Sequence, residues 1–259
     1  MTGREMKQAL DAGRRVYGTM WARGLNVRWA PLLAGRGLDY VIIDNEHTPF
    51  SRTEVADLIF AFEKAGIAPL VRVPIPASHY VTMAVDAGAH GVLAPYCETV
   101  DEAREVVGAC KWRPLKGEFV ERAMHTGEFP SDELRDYLVK RNADSVTIIG
   151  IESVPAVENL EAILQVPGID AIFVGPHDLS CSLGIPEQYE HPEFEGAVQR
   201  VIDTCNAAGV PMTIHFSELR LSRRWVERGM RLVLFSSDLR MLPEAIAANF
   251  GDLREVGDG

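Results

Sequence analysis

Eight short apolar runs rich in β-branched residues recur along this chain, with an amphipathic stretch after most of them. The runs are VYGTM (16–20), DYVIID (39–44), PLVRV (69–73), GVLAP (91–95), VTIIGIE (146–152), AIFVG (171–175), VPMTI (210–214) and RLVLF (231–235). Between them TEVADLIFAFEKAG (53–66), TVDEAREVVGAC (99–110) and FEGAVQRVIDTCNAAG (194–209) read as helices. Gly66, Gly209 and Gly229 stand where C-caps belong. Strands that are apolar along their whole length need cover on both faces, which is the condition of a parallel sheet. The chain has 259 residues, and eight β–α units of about 30 residues suit a (β/α)8 TIM barrel, typically about 250 residues long. An open doubly wound sheet also alternates, but no GxGxxG follows the first strand. No composition shift marks a linker, so residues 1–259 are expected to form a single α/β barrel domain. Residues 111–130, KWRPLKGEFVERAMHTGEFP, carry no clear period and read as a long loop serving as a lid or a subunit contact. Ser131 then reads as the N-cap of a helix running to about Ala143.

The net charge of −11 argues against a nucleic-acid partner and gives no support for docking on anionic membranes. The N-terminus, MTGREMKQALDAGRR, lacks an apolar signal region, and no apolar run is long enough to span a bilayer. Cys97, Cys110, Cys181 and Cys205 form no CxxC pair. Reduced thiols in a cytoplasmic protein without a zinc site are the simplest expectation.

In a (β/α)8 barrel the chemistry sits at the carboxyl ends of the strands. Those ends carry Asp44, Glu46 and His47 after strand two and Arg72 on strand three. Glu152 ends strand five, Asp178 follows strand six in GPHDLS, His215 follows strand seven, and Ser236, Ser237 and Asp238 follow strand eight. Each has a structural alternative: the acids as helix caps, Arg72 as a partner to either acid, and His47, His177 and His215 as satisfied structural histidines. Asp44 and Glu46 are expected to support their loop by hydrogen bonds. The convergence of the set on one face is what points to a site.

Two carboxylates on adjacent strand ends suit a hard divalent cation such as Mg²⁺ or Mn²⁺. An arginine nearby suits a substrate carboxylate or enolate oxygen, because its planar fork donates bidentately. A histidine transfers protons near neutral pH. The lysines are Lys7, Lys64, Lys111, Lys116 and Lys140, and none ends a strand. Imine chemistry is therefore disfavoured and metal-assisted enolate chemistry remains.

These residues lie in the stretches IDNEHTP, VDAGAHGVLAP, TVDEAREVV and IIGIESVPAVENL…GIDAIFVGPHDLSCSLG. In that order, over nearly the whole chain, they resemble the HpcH/HpaI-type class II aldolases. The resemblance implies reversible cleavage of a 2-oxo-4-hydroxy acid to an aldehyde and pyruvate or a pyruvate analogue such as hydroxypyruvate. It implies Glu152 and Asp178 as ligands of a divalent metal (Mg²⁺, Mn²⁺ or Co²⁺), with water and the 2-oxoacid completing the shell. Arg72 matches the arginine that holds the substrate oxygen, and His47 the histidine that handles the proton of the C4 hydroxyl. Asp86 matches the carboxylate that orients this histidine. Backbone amides around His177 and Asp178 match those that bind the substrate carboxylate. A homo-oligomer, often a hexamer, with the last helix exchanged between subunits is implied likewise.

The sequence departs from the family pattern at Asn45, where glycine is common, and at Gly150, where glutamine is common. The loss of the side chain at Gly150 is expected to open space beside the metal. WRPLKGEF (112–119) is shorter than the loop it matches, and His177 is a further difference. Two other readings stay open: another metal-enolate lyase or decarboxylase on the same scaffold, and a non-catalytic binding barrel.

Overall fold

The computed structural model describes residues 1–256. Eight parallel strands close into a barrel in chain order. They are β1 (Val16–Trp21), β2 (Tyr40–Asp44), β3 (Ala68–Arg72), β4 (Gly91–Ala94), β5 (Val146–Gly150), β6 (Ala171–Val174), β7 (Met212–Phe216) and β8 (Leu232–Ser237). The first helices are α1 (Gly3–Asp11), α2 (Trp29–Leu33), α3 (Arg52–Lys64), α4 (Ser78–Asp86) and α5 (Val100–Lys111). After them come α6 (Glu118–His125), α7 (Asp132–Arg141), α8 (Val154–Ile163) and α9 (Pro176–Ser182). The last are α10 (Pro192–Ala208), α11 (Leu219–Glu227) and α12 (Asp238–Glu255). The expected (β/α)8 barrel is what the chain forms.

Local chemistry explains the boundaries. Ser51 with Glu54, and Thr99 with Glu102, form capping boxes that start α3 and α5. Gly209 ends α10 in the left-handed conformation at φ 70°. Ser131 caps α7 as expected, but the helix stops at Arg141 rather than near Ala143. The Asn142 side-chain amide donates to Lys111 O, Arg113 O and Leu138 O, which ties the helix end to the neighbouring chain.

The reading of 111–130 as one loop needs correction, because α6 lies inside it. Only Ala123 and Met124 of α6 are buried. Such a short helix, with so small an apolar face, leaves little periodicity to detect. It packs on α5 at Gly108, where an added Cβ would stand 3.0 Å from Val120 and 3.2 Å from Met124.

Side chains alternate along each strand. Tyr40, Ile42, Leu70, Ile148, Phe173 and Leu234 fill the inside of the barrel, with Met6 and Leu10 of α1 in the same cluster. Val41, Ile43, Val71, Ile149 and Val233 pack outward with the helices. The Tyr40 ring crosses the interior and its hydroxyl donates to Val233 O at 3.0 Å. It fits because β1 has Gly18 there, where any Cβ would collide with the ring. Continued towards the carboxyl ends, the same alternation brings Asp44, Arg72, Gly150 and His215 to the inner side.

Two irregularities stand out. In β8, Gly18 pairs with Leu234 but Met20 pairs with Ser237, so Phe235 and Ser236 together face the single residue Thr19. Ser236 takes a positive φ of 52° in this bulge. In α12 no residue is buried, and Leu239, Leu242, Ile246, Phe250 and Leu253 are each at least half exposed.

Candidate active site at the barrel mouth

The register of β2 and β3 sets Asp44 beside Arg72. Arg72 Nε donates to Asp44 Oδ1 at 2.9 Å, and Nη2 lies 2.8 Å from Oδ2. Asp44 Oδ1 also accepts from the backbone N–H of Glu46 and of His47, at 3.1 and 3.3 Å. One buried carboxylate therefore folds the turn after β2 and locks the guanidinium on β3. Burial pushes the Asp44 carboxyl up, but the Arg72 bonds and charge outweigh it and hold the group below its ordinary range. The support role expected for Asp44 is present, and its grip on Arg72 is a second role that reading the strands one at a time misses.

Glu46 Oε2 lies 3.2 Å from Arg72 Nη1 and 3.5 Å from His47 Nε2. Oε2 is nevertheless buried without an aligned hydrogen bond. Burial raises the Glu46 carboxyl against the pull of Arg72 and His47. The His47 side chain is 63% exposed, open to the mouth.

Glu152 follows β5 and is 3% exposed. Among the described residues its carboxylate has one protein donor, Tyr96 N–H to Oε1 at 3.2 Å. The expected open space at Gly150 is absent, since Glu152 fills it. A Cβ at Gly150 would stand 2.5 Å from Oε1, and one at Gly175 would collide with Oε2. The carboxylate lies across two bare backbone positions, a cradle that a side chain on either would fill. Burial, with the nearby charges of Glu46 and Asp178, pushes the Glu152 carboxyl up to about 8 despite the Tyr96 bond.

Asp178 sits half-buried in the first turn of α9. Among the described residues no group of three or more His, Cys, Asp or Glu side chains is placed to hold a metal ion. Glu152 and Asp178 are a two-carboxylate set. Oxygen donors, one of them buried and short of positive charge, fit a hard divalent cation that completes its shell with water and substrate. The His177 side chain turns elsewhere, with Nδ1 3.7 Å from Glu187 Oε1 and Nε2 3.9 Å from Cys181 Sγ.

Asp86 does not meet His47 within the chain. It ends α4 on the outside of the barrel, 64% exposed, and pairs with Arg113 at 3.0 Å. The acid beside His47 is Glu46. A cleft of about 930 Å³ lies between α4, α5 and α6, with no strand residue in its lining. The mouth remains the better site, because the converging buried ionisable groups are there.

His215 lies in β7 on the inner side, with the charges of Arg72 and Asp44 acting on its ring. Lys7 and Lys111 both donate to Ser145 O beside the start of β5, at the amino end of the strand.

The HpcH/HpaI aldolase/citrate lyase family model matches residues 18–245. The chain is 34% identical over 252 residues to a 4-hydroxy-2-oxo-heptane-1,7-dioate aldolase of Salmonella dublin, covering 95% of this chain and 94% of that one. Its fold is similar to an HpcH/HpaI aldolase from Desulfitobacterium hafniense (TM-score 0.83, 30% identity, 98% of each chain). It is likewise similar to an HpcH/HpaI aldolase/citrate lyase family protein from Burkholderia cenocepacia (TM-score 0.83, 32% identity, 97% and 99% covered). With barrel, strand-end residues and relatives in agreement, the chain belongs to the HpcH/HpaI aldolase/citrate lyase family.

Proposed function

We propose that this protein is a divalent-metal-dependent aldolase that reversibly cleaves a 2-oxo-4-hydroxy acid to an aldehyde and pyruvate or a close analogue. The observation that carries the reading is the buried Glu152 carboxyl. It is raised to about 8 and set with Asp178 opposite an arginine already locked in place. Glu152 and Asp178 hold the cation, with Mg²⁺, Mn²⁺ and Co²⁺ as candidates. When bound, it supplies Lewis-acid polarisation of the substrate's 2-oxo group.

The remaining chemistry falls to side chains and backbone of this chain. His47, the exposed base of the mouth, takes the proton from the C4 hydroxyl. The C3–C4 bond breaks, the aldehyde leaves, and the electron pair moves onto the C2 oxygen as an enolate. Arg72 faces that oxygen with the N–H groups not used by Asp44, so its charge is already in position when the negative charge develops. The first-turn amides of His177 and Asp178 bind the substrate carboxylate. A proton delivered to C3 completes pyruvate, and the reverse sequence makes the C–C bond.

Asp86 matches, by resemblance, the acid that orients the histidine, and its place on the outer face leaves it open to orient the His47 of a neighbouring copy. Homo-oligomerisation, with α12 packed against another subunit, follows from the same reading, and the bare apolar stripe of α12 supports it. A hexamer is the assembly we favour. Residues 111–130, with α6, form part of that contact. Among the described residues no helix is long and apolar enough to cross a membrane, and all four cysteines are free. Both fit a cytoplasmic protein.

The test is deuterium exchange of the pyruvate methyl protons in D2O, followed by NMR with and without Mg²⁺ or Mn²⁺. Exchange that needs metal and disappears in Glu152→Ala supports enolate formation. Failure to bind any of the three metals, with no exchange of pyruvate or hydroxypyruvate, would favour the non-catalytic barrel.

A further inference from the structure

Strand β7 is buried at every position except His215. Its neighbours Ile214 and Phe216 pack outward among the helix-facing residues, which leaves His215 on the inner side. An inner residue near the carboxyl end of a strand that still meets solvent meets it in the mouth. His215 Nε2 lies 3.0 Å from the carbonyl oxygen of Ser236. A carbonyl only accepts, so Nε2 carries the ring proton and Nδ1 is a bare acceptor. Among the described residues nothing in the protein donates to Nδ1. Burial keeps the ring neutral, against the pull of the Ser236 carbonyl and with the help of the Arg72 charge.

Ser236 is unusual in two ways at once. Its backbone holds a positive φ in the β8 bulge, with its carbonyl gripped from one side by His215 and from the other by Thr19 Oγ1 at 3.1 Å. Its hydroxyl is fully buried and has no partner. Strain of this kind persists only where surrounding contacts impose it, and it concentrates at functional positions. A buried hydroxyl without a partner carries a desolvation cost that an alanine would avoid.

We infer that His215, its ring held by the Ser236 carbonyl, forms a floor on the β7–β8 side of the mouth that recognises a hydroxyl group of the substrate. A hydroxyl donates to His215 Nδ1 and completes it. A bare methyl or methylene at the same place leaves that acceptor unpaired. The inference rests on the aldolase reading and narrows it to substrates hydroxylated where they touch this floor. That hydroxyl belongs either to C3 of the 2-oxoacid, as in hydroxypyruvate, or to the carbon next to the carbonyl of the aldehyde, as in glycolaldehyde.

The experiment compares kcat/KM for aldol addition in two arms with the metal-loaded enzyme. One arm sets hydroxypyruvate against pyruvate with propanal fixed. The other sets glycolaldehyde against acetaldehyde with pyruvate fixed. The wild type should prefer the hydroxylated partner by about tenfold or more in one arm, the worth of a net hydrogen bond in a closed site. In His215→Leu that ratio should fall towards one, and His215→Gln, which retains an acceptor, should restore part of it. His215→Phe keeps a ring without an acceptor and gives the same reading should His215→Leu fail to fold. A wild type indifferent in both arms, or a His215→Leu variant that loses rate on both members of each pair alike, would overturn the floor while leaving the aldolase intact. A wild type with neither pyruvate exchange nor aldol addition would overturn the aldolase reading, and the floor with it.

Discussion

Asp44 and Arg72 stand opposite each other across the β2–β3 register and are joined by two contacts, at 2.9 and 2.8 Å, both side chains nearly out of water. Removing Asp44 leaves the buried guanidinium with Glu46 alone, at 3.2 Å. Asp44→Ala should therefore cost up to about 3–5 kcal/mol of stability, read as a lower urea midpoint. It should also lower kcat by more than tenfold, because Arg72 loses its fixed orientation. A variant with both midpoint and kcat unchanged would show that neither property depends on this pair.

Glu152 links metal to pH. Its folded carboxyl titrates near 8 while its unfolded value is about 4.3, so the folded state holds the extra proton between those values. Metal-free protein should consequently lose stability as pH rises from about 4.3 to 8, by at most about 1.4 kcal/mol per pH unit from this group. Glu152→Gln should flatten that slope in melting curves recorded with chelator. Metal affinity of the wild type should rise with pH over the same window and level off above it, since the ligand must shed its proton first.

The cradle around Glu152 makes a steric prediction. In Gly150→Ala the new methyl would stand 2.5 Å from Oε1 and 2.9 Å from Ala94 O, so the carboxylate must move. Titration calorimetry with Mn²⁺ should show affinity lowered by about 10- to 100-fold, the usual range for disturbing the support of a ligand. Unchanged affinity would mean that the metal-binding carboxylate is not the one resting on Gly150.

Asp86 and His47 do not meet in one chain, and mixing tests whether they meet in two. His47→Ala and Asp86→Ala should each be nearly inactive alone. Co-refolded at equal amounts they should regain activity, up to about a quarter of wild type by random mixing in a closed oligomer. No recovery, from mixtures shown to form mixed assemblies, would remove Asp86 from the site.

The stripe on α12 should behave as an interface. Ile246→Asp places a charge among Leu242, Phe250 and Leu253, and sedimentation should then show smaller assemblies than wild type. Wild-type protein that sediments as a monomer at micromolar concentration would sink the subunit-contact reading.

Much of this was legible in the sequence because it depends on position along a strand. Eight apolar runs give the barrel, and the residues ending them give Arg72, Glu152 and Asp178. What stayed hidden depends on neighbours from other strands. The Asp44 grip on Arg72 needs the β2–β3 register. The Glu152 cradle needs Gly150 on β5 beside Gly175, the residue just after β6, and a glycine read alone suggests empty room. The His215–Ser236 contact needs a bulge, which has no apolar pattern of its own. The helix within 111–130 buries too little for periodicity to show.

The Tyr40 ring leaning on Gly18 has a consequence for how this sequence can vary. The two positions make a single choice, since only an unsubstituted backbone on β1 leaves room for an aromatic ring from β2. A library that randomises position 18 alone should return glycine almost without exception. One that randomises 18 and 40 together should return small residues at 18 paired with shorter side chains at 40. The two sites are 22 residues apart in sequence, yet they should drift as one.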